Sequence, residues 1–176
     1  ESIGWMSQND LLLPWLTLHE NVMLGARLRG EIDNNIGTQA LRLLQRAGLA
    51  SYEKALPATL SGGMRQRGAL LRTLMEESGL MLMDEPFSAL DALTRTKLQN
   101  LTVEMTKGRT VLLVTHDPME ALRMGHEIIV FSGSPAKIHT IKTIPGEVPR
   151  QLSDPSMASM HADLLAMLMT EEHESV

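Results

Sequence analysis

The 176-residue chain has no cysteine and few aromatic side chains, which make up only 3% of its residues. The absence of cysteine fits a reducing compartment. No apolar run approaches the roughly 18 residues that a membrane-spanning helix requires. The first residues, from Glu1 to Trp5, carry no secretory signal and already follow a strand-like pattern. We therefore expect the sequence to start inside a structural element.

Basic residues are outnumbered: 16 Lys and Arg stand against 21 Asp and Glu, which gives a net charge of −5. This balance argues against a nucleic acid as the main partner, because phosphate binding needs a basic face. Hydrophobic residues make up 43% of the chain and charged residues 21%, as in ordinary globular proteins. The length suffices for one domain with one substantial core.

A phosphate-binding pattern is also absent. The 176 residues contain no G-x-x-x-x-G-K-[S/T] sequence and no Gly-Lys pair. In that pattern a glycine-rich loop cradles nucleotide phosphates with its main-chain amides, and the lysine contacts the terminal phosphates. We therefore expect these residues alone to lack a phosphate cradle.

The order of apolar runs predicts an α/β fold. Continuous apolar strands alternate with helical patterns, which favours a parallel sheet covered by helices on both faces. The predicted strands are 3–8, 80–83, 111–114 and 128–131. The predicted helices are 19–29, 38–47 before Gly48, 61–77, 90–107, 117–124, and a last amphipathic helix with its apolar face at Met157, Met160, Leu164, Met167 and Leu168.

Two acidic residues follow an apolar strand directly. Asp84 and Glu85 come after Leu80–Met83, and ligands of parallel α/β sheets bind at the carboxyl ends of the strands. Ahead of this strand, Ser61, Gly62 and Gly63 open a predicted helix. Free amides, small residues and the helix dipole at such a turn favour the approach of an anion.

The sequence LSGGMRQR at 60–67, followed by LMLMDEPFSALD at 80–91, strongly resembles the ATPase subunits of ABC transporters. In that family the Ser-Gly-Gly turn is the signature, which binds the γ-phosphate of an ATP held by the opposite subunit. The resemblance continues in order through residues 3 to about 135. It implies a partial P-loop NTPase core with an inserted helical subdomain at about 9–60, followed by a tail at 136–176 with one amphipathic helix.

The resemblance also assigns roles to residues of the acidic edge. Glu85 would polarise the attacking water as general base, and Asp84 would help to hold Mg²⁺. His116 resembles the family's switch histidine, which would donate a hydrogen bond to the γ-phosphate. Gln8 resembles the glutamine that ligates Mg²⁺ and reports nucleotide state. The five other histidines, at 19, 126, 139, 161 and 173, show no metal-ligand spacing.

The remaining implied site residues lie around the signature. Ser61, Gly62, Gly63 and Gln66 would contact nucleotide, and Asp91, at the end of Ser88-Ala89-Leu90-Asp91, would brace the interface between two subunits. The resemblance implies ATP and Mg²⁺ as ligands, a second subunit paired head to tail, and transmembrane permease subunits. The protein would act peripherally at the cytoplasmic face of the inner membrane.

A narrower resemblance links the chain to importers of nitrate, sulfonate, taurine or pyrimidine-type nutrients. The resemblance is carried by LLPWLT at 12–17, PFSALDALTR at 86–95 and SGSPAKI at 132–138. Gly68 departs from the family, which has a β-branched residue more often in this helix. From helix propensity we expect this glycine to loosen the helix by roughly 0.5–1 kcal/mol relative to alanine.

Two other classes of protein share parts of this pattern. DNA-repair and chromosome ATPases also have a signature and an acidic pair, but a long coiled coil separates their glutamine strand from the signature. Here only 53 positions (61 minus 8) separate Gln8 from Ser61, without sustained heptads. The other alternative is a non-catalytic truncated remnant or interaction piece, which intact Glu85 and His116 argue against unless the truncation is recent.

Overall fold

The structure is a computed structural model, and it describes residues 3–132 and 135–174. The chain divides into two compact units, the first ending at Val114 and the second beginning at Thr115. Each unit is described separately below. The boundary at residue 135 between a nucleotide-binding core and a tail stays a prediction.

The first unit contains a three-stranded parallel sheet. Its strands are β1 (Ile3–Met6), β2 (Leu80–Asp84) and β3 (Thr110–Val114), in the order β1-β2-β3. Met6 pairs with Met83, and Met83 pairs with Leu113. The predicted α/β fold with parallel strands is confirmed.

The two faces of this sheet differ in burial. Met6, Met81 and Met83 are at most 2% exposed, because they point into the core of the unit. On the alternate positions, Trp5 is 65% exposed and Val114 is 53% exposed. The expectation that helices cover both faces is wrong for the described residues, because apolar side chains of β1 and β3 remain open on one face.

Short helices fill the stretch between β1 and the signature. They are α1 (Leu18–Val22), α2 (Leu24–Arg29) and α3 (Asn34–Arg46), followed by single 3₁₀ turns at Ala50–Tyr52 and Pro57–Thr59. A capping box starts α1, since Thr17 and Glu20 each bond the other's main-chain amide. Because α1 ends at Val22 and α2 begins at Leu24, the single helix predicted for 19–29 is interrupted at Met23. The predicted stop at Gly48 is confirmed by its left-handed φ of +70°.

Two longer helices follow. The signature helix, α4 (Gly62–Leu74), has Ser61 as its N-cap, and α5 (Ala92–Met105) has Asp91 as its N-cap. Gly68 lies in the middle of α4 and is buried against α1. A Cβ at this position would come 2.5 Å from Cδ1 of Leu18, a fully buried side chain. The expectation that alanine would be the better residue is therefore incomplete, because it ignores this close approach.

The second unit consists of α6 (Pro118–Met124), β4 (Glu127–Ser132), β5 (Lys137–Thr143) and α7 (Pro155–Glu174). Asp117 caps α6 as predicted, because its carboxylate accepts hydrogen bonds from the amides of Met119 and Glu120. The apolar run 128–131 is not a strand of the parallel sheet. It belongs to β4, which pairs antiparallel with β5. Sequence analysis missed β5, whose alternation of polar and apolar residues is typical of a hairpin strand.

The core of the second unit explains the last helix. Met157 and Leu164 of α7 are buried in one cluster with Leu122, Val130 and Ile144. The predicted apolar face of α7 is thus confirmed at these positions, whereas Leu168 is 36% exposed. None of the described helices is both long and apolar enough to cross a membrane.

Candidate functional site

The acidic pair lies where the strands of the first unit end. Asp84 is the last residue of β2, and Gln8 lies two residues beyond the end of β1. Since β1 and β2 are parallel neighbours with Met6 opposite Met83, both chain ends leave the same edge of the sheet. The structure therefore places Gln8, Asp84 and Glu85 along one edge, as the sequence predicts.

The main chain of Glu85 adopts an unusual conformation. Its φ is +50°, in the left-handed region that non-glycine residues enter rarely. The Glu85 amide donates to the carbonyl of Val114 at 2.9 Å. The Glu85 carbonyl accepts from the side chains of Gln66 at 2.8 Å and Ser88 at 3.1 Å. These contacts hold a sharp turn immediately after β2, which we call the acid turn (Asp84-Glu85).

Gln66 is buried, with only 5% of its surface exposed. Its Nε2 donates to the carbonyl of Glu85 at 2.8 Å and to Oγ of Ser88 at 3.1 Å. Its Oε1 accepts from the amide of Ala89 at 2.8 Å. The amide group thus bonds the acid turn and the loop after it. Its predicted contact with nucleotide stays a prediction.

The signature turn, Ser61-Gly62-Gly63, forms the first turn of α4. Oγ of Ser61 accepts a hydrogen bond from the amide of Met64 at 3.3 Å, so the serine caps the helix. A hydroxyl that accepts still has its own hydrogen to donate. Ser61 and Gly62 are exposed to solvent, and the positive end of the helix dipole lies here. The turn is thus suited to an anion, the chemistry that the sequence predicts for it.

Gly63 has a packing role as well. A Cβ at this position would lie 3.0 Å from the main-chain carbonyl oxygen of Ala89. The signature turn and the loop after the acid turn are therefore in close contact within one subunit. The sequence gives no sign of this contact. From the sequence alone, Gly63 is explained only by the close approach of a ligand.

Two arginines of α4 bond the segment that follows Gln8. Nε of Arg65 lies 3.0 Å from Oδ2 of Asp10. Arg72 donates to the carbonyls of Asp10 at 2.9 Å and Leu11 at 2.7 Å, where the Leu11 φ is +46°. Burial lowers the pKa of Arg72, although Asp10 and Glu76 oppose this shift. Sequence reasoning missed these contacts, because their partners lie 55 to 62 positions apart.

Two predicted site residues lie at the ends of helices. Oδ1 of Asp91 accepts from the amide of Thr94 at 3.0 Å, which lowers the pKa of Asp91. Asp91 is exposed, so the role predicted for it between subunits is compatible with its place. His116 is an exposed residue of the second unit, one position before the N-cap of α6. Its predicted role beside Glu85 stays a prediction.

The residues at the sheet edge suit Mg²⁺ chemically. Mg²⁺ takes oxygen ligands, commonly one or two carboxylates together with substrate phosphates and water. Asp84 offers a carboxylate and Gln8 an amide oxygen at the same edge. The described residues contain no group of three or more His, Cys, Asp or Glu that could hold a metal by themselves.

Comparison with known proteins identifies the family. The model of the ABC transporter family matches residues 1–88. The chain belongs to the ABC transporter family. A Bacillus subtilis ABC transporter ATP-binding protein, YtlC, is 46% identical over 86% of this chain, and this chain spans 59% of its length. A formylaminopyrimidine import ATP-binding protein of Halalkalibacterium halodurans is 39% identical over 96% of this chain and 71% of its own length.

A solved structure supports the fold. The ATP-binding cassette MJ0796, in a dimeric post-hydrolysis state with ADP and phosphate, superposes with a TM-score of 0.71 at 33% identity. The match covers 84% of this chain and 65% of that one. The fold is therefore that of an ABC ATPase cassette, and it confirms the P-loop NTPase class predicted from sequence.

Proposed function

We propose that the complete protein binds and hydrolyses ATP to power an ABC importer. The observation that carries this proposal is the joint presence, in the first unit, of an acid turn at the sheet edge and an exposed signature turn. Relatives named as import ATP-binding proteins support it. The structure adds that α4 bonds directly to the acid turn, so both parts of the machinery belong to one scaffold.

The acid turn and the sheet edge would carry the chemistry. Glu85 polarises the attacking water as general base, and His116 donates a hydrogen bond to the γ-phosphate. Asp84 and Gln8 would hold Mg²⁺, which would neutralise charge on the phosphates. Asp84 and Gln8 leave adjacent parallel strands at one edge, and this supports the assignment.

The signature turn would act on a nucleotide held by a second subunit. Ser61 and Gly62 are exposed, and their amides lie at the start of a 13-residue helix. Asp91, also exposed, would brace the contact between the two subunits. The dimeric cassette with ADP and phosphate among the structural relatives supports a paired arrangement.

The helical stretch 9–60 would dock on transmembrane permease subunits at the cytoplasmic face of the membrane. Trp15 is 71% exposed in this stretch, where it follows the segment bonded by Arg72. Relatives named for the import of aliphatic sulfonates, taurine and formylaminopyrimidine are 35–42% identical to this chain, which supports a sulfonate-bearing or pyrimidine-type nutrient as the transported substrate.

The 176 residues alone would not hydrolyse ATP. They contain no loop of the G-x-x-x-x-G-K-[S/T] type, whose amides and lysine would hold the β- and γ-phosphates. Steady ATP turnover by the purified 176-residue chain that disappears in the Glu85→Gln variant would contradict this proposal.

The test of the hydrolytic role uses a chain that joins a phosphate-loop segment to these 176 residues. Glu85→Gln should abolish Mg²⁺-dependent ATP hydrolysis while the Kd for ATP stays within about threefold, because the side chain acts on water. Glu77→Gln is the matched control, since Glu77 is an exposed acid outside the site. Equal losses of ATP affinity and turnover in Glu85→Gln would show that Glu85 has a structural role instead.

A further inference from the structure

Gln66 connects two elements that sequence analysis treats separately. It lies on the inner side of α4, one turn after the signature turn, and its side chain reaches the acid turn and the loop after it. Its polar atoms bond Glu85, Ser88 and Ala89 at 2.8–3.1 Å. The question is what a buried amide achieves at this position that an apolar residue of the same length would not.

The orientation of the amide is set by its partners. A main-chain carbonyl, that of Glu85, lies on one side, and a main-chain amide, that of Ala89, lies on the other. Only a group with a donor and an acceptor satisfies both, and a flipped amide would place two oxygens together. Glutamate would lose the donor at neutral pH, and methionine would lose both bonds.

The conformation that Gln66 supports is a costly one. Glu85 has a φ of +50°, and such a conformation persists only where neighbouring groups hold it. The strand side of the turn is held by Val114, whose carbonyl accepts from the Glu85 amide. The carbonyl side is held by Gln66 and by the hydroxyl of Ser88, which Gln66 itself bonds. The direction in which the Glu85 side chain leaves the main chain therefore depends on these contacts.

The same amide also fixes the loop beneath the signature turn. Ala89 donates its amide to Gln66, and the carbonyl of Ala89 lies close to Gly63. Displacement of Ala89 would thus change the packing around Gly63. Gln66 therefore bonds both the acid turn and the loop 88–90, and this loop packs closely against the signature turn at Gly63.

We propose that Gln66 is a positioning residue, which holds the acid turn in its left-handed conformation and links it to the signature turn. It acts through Glu85 and Ala89 and needs no contact with the nucleotide. Only the effect on turnover rests on the proposed hydrolytic function; the structural role of Gln66 does not. The consequence is that a change at Gln66 lowers the rate of hydrolysis and leaves ATP binding nearly unchanged.

The first measurement does not depend on ATP. Amide hydrogen exchange is measured by NMR on the chain that joins a phosphate-loop segment to these 176 residues, without nucleotide. Gln66→Met should accelerate exchange of the Ala89 amide by about tenfold or more, because its acceptor is lost. The matched control is Thr73→Val in the same helix, because it removes a buried hydroxyl that donates to the carbonyl of Ala69.

The second measurement separates turnover from binding. Gln66→Met should lower kcat by about 10–100-fold, because a misplaced catalytic group loses rate steeply, while the KM for ATP changes by less than about threefold. Gln66→Glu should retain protection of the Ala89 amide. Its kcat relative to the parent should rise as the pH falls, because a protonated carboxyl regains a donor for the Glu85 carbonyl.

The outcomes distinguish the two proposals. Unchanged Ala89 exchange in Gln66→Met overturns the positioning role, whether or not the protein hydrolyses ATP. The same holds if Thr73→Val accelerates Ala89 exchange equally, or if KM rises in parallel with the fall in kcat. A parent chain that binds ATP but never hydrolyses it would overturn the proposed function, and the exchange data would then decide the positioning role alone. If Gln66→Met fails to fold, the kcat of Gln66→Glu gives the test, and a ratio to the parent kcat that stays constant as the pH falls overturns the positioning role.

Discussion

Replacement of Gly68 by alanine has two opposite effects on the free energy of unfolding: a gain in helix propensity and a steric cost. In an exposed helix interior, alanine is more stable than glycine by about 1 kcal/mol, because glycine loses more backbone entropy on folding. At Gly68, however, the new Cβ would come 2.5 Å from Cδ1 of Leu18 and 3.5 Å from Cδ1 of Leu12. Leu18 is 0% exposed, so its side chain cannot swing into solvent to make room.

The balance favours glycine. Overpacking of a buried site costs about 1–3 kcal/mol, which equals or exceeds the gain in helix propensity. We expect Gly68→Ala to lower the free energy of unfolding by up to about 2 kcal/mol after the propensity gain is subtracted. For each 1 kcal/mol lost, the urea midpoint should fall by about 0.3–1 M.

Gly37→Ala is the matched control. Gly37 lies inside α3, and the nearest atom to its Cβ would be Sδ of Met23 at 4.0 Å. Here only the propensity term acts, so this variant should gain up to about 1 kcal/mol. Urea unfolding of both variants, followed by circular dichroism, compares two helical glycines in the same unit. If Gly68→Ala were stabilised as much as Gly37→Ala, the steric reasoning would be refuted.

Three further predictions concern the site, the open sheet face and the pH dependence. In the chain with a phosphate-loop segment, Ser61→Arg should abolish hydrolysis and spare nucleotide binding to the monomer; normal turnover would contradict the role of the signature turn. The 176-residue chain alone should self-associate through its exposed sheet face, and Trp5→Ser with Val114→Thr should reduce this in sedimentation at several concentrations; a monomer before substitution would contradict it. Hydrogen bonds from Thr17 lower the pKa of Glu20 below its ordinary 4.5, so this stabilisation is present above that pH and lost as the pH falls through the lowered value. Glu20→Gln should therefore flatten the acid side of the stability curve, and a curve of unchanged shape would show that the capping box does not contribute.

The sequence was most informative where local chemistry decides the structure. Apolar runs located β1, β2 and β3, and the caps at Asp117 and Gly48 follow from side chains and backbone freedom next to the helix ends. Strand pairing in the second unit was missed, because β4 is apolar enough to pass for a buried parallel strand and its partner β5 mixes polar with apolar residues.

Contacts between distant segments could not be predicted in this way. The bonds from Gln66 to Glu85 and Ala89 join positions 19 to 23 residues apart, and Arg72 bonds a carbonyl 62 residues away. No periodicity or motif encodes such partners. The close contact between Gly68 and Leu18 could not be predicted either, because helix propensity describes a residue without its tertiary neighbours.

The close approach of Gly63 to Ala89 affects how mutational surveys of this motif are interpreted. A Cβ on Gly63 would press on the carbonyl of Ala89, so an inactive Gly63→Ala variant would not reveal whether the damage is to ligand contact or to internal packing. Gly62 differs, because the nearest atom to its Cβ would be Nη2 of Arg65 at 4.0 Å. Among the two adjacent glycines, Gly62 is therefore the position at which loss of activity on substitution reports on the ligand.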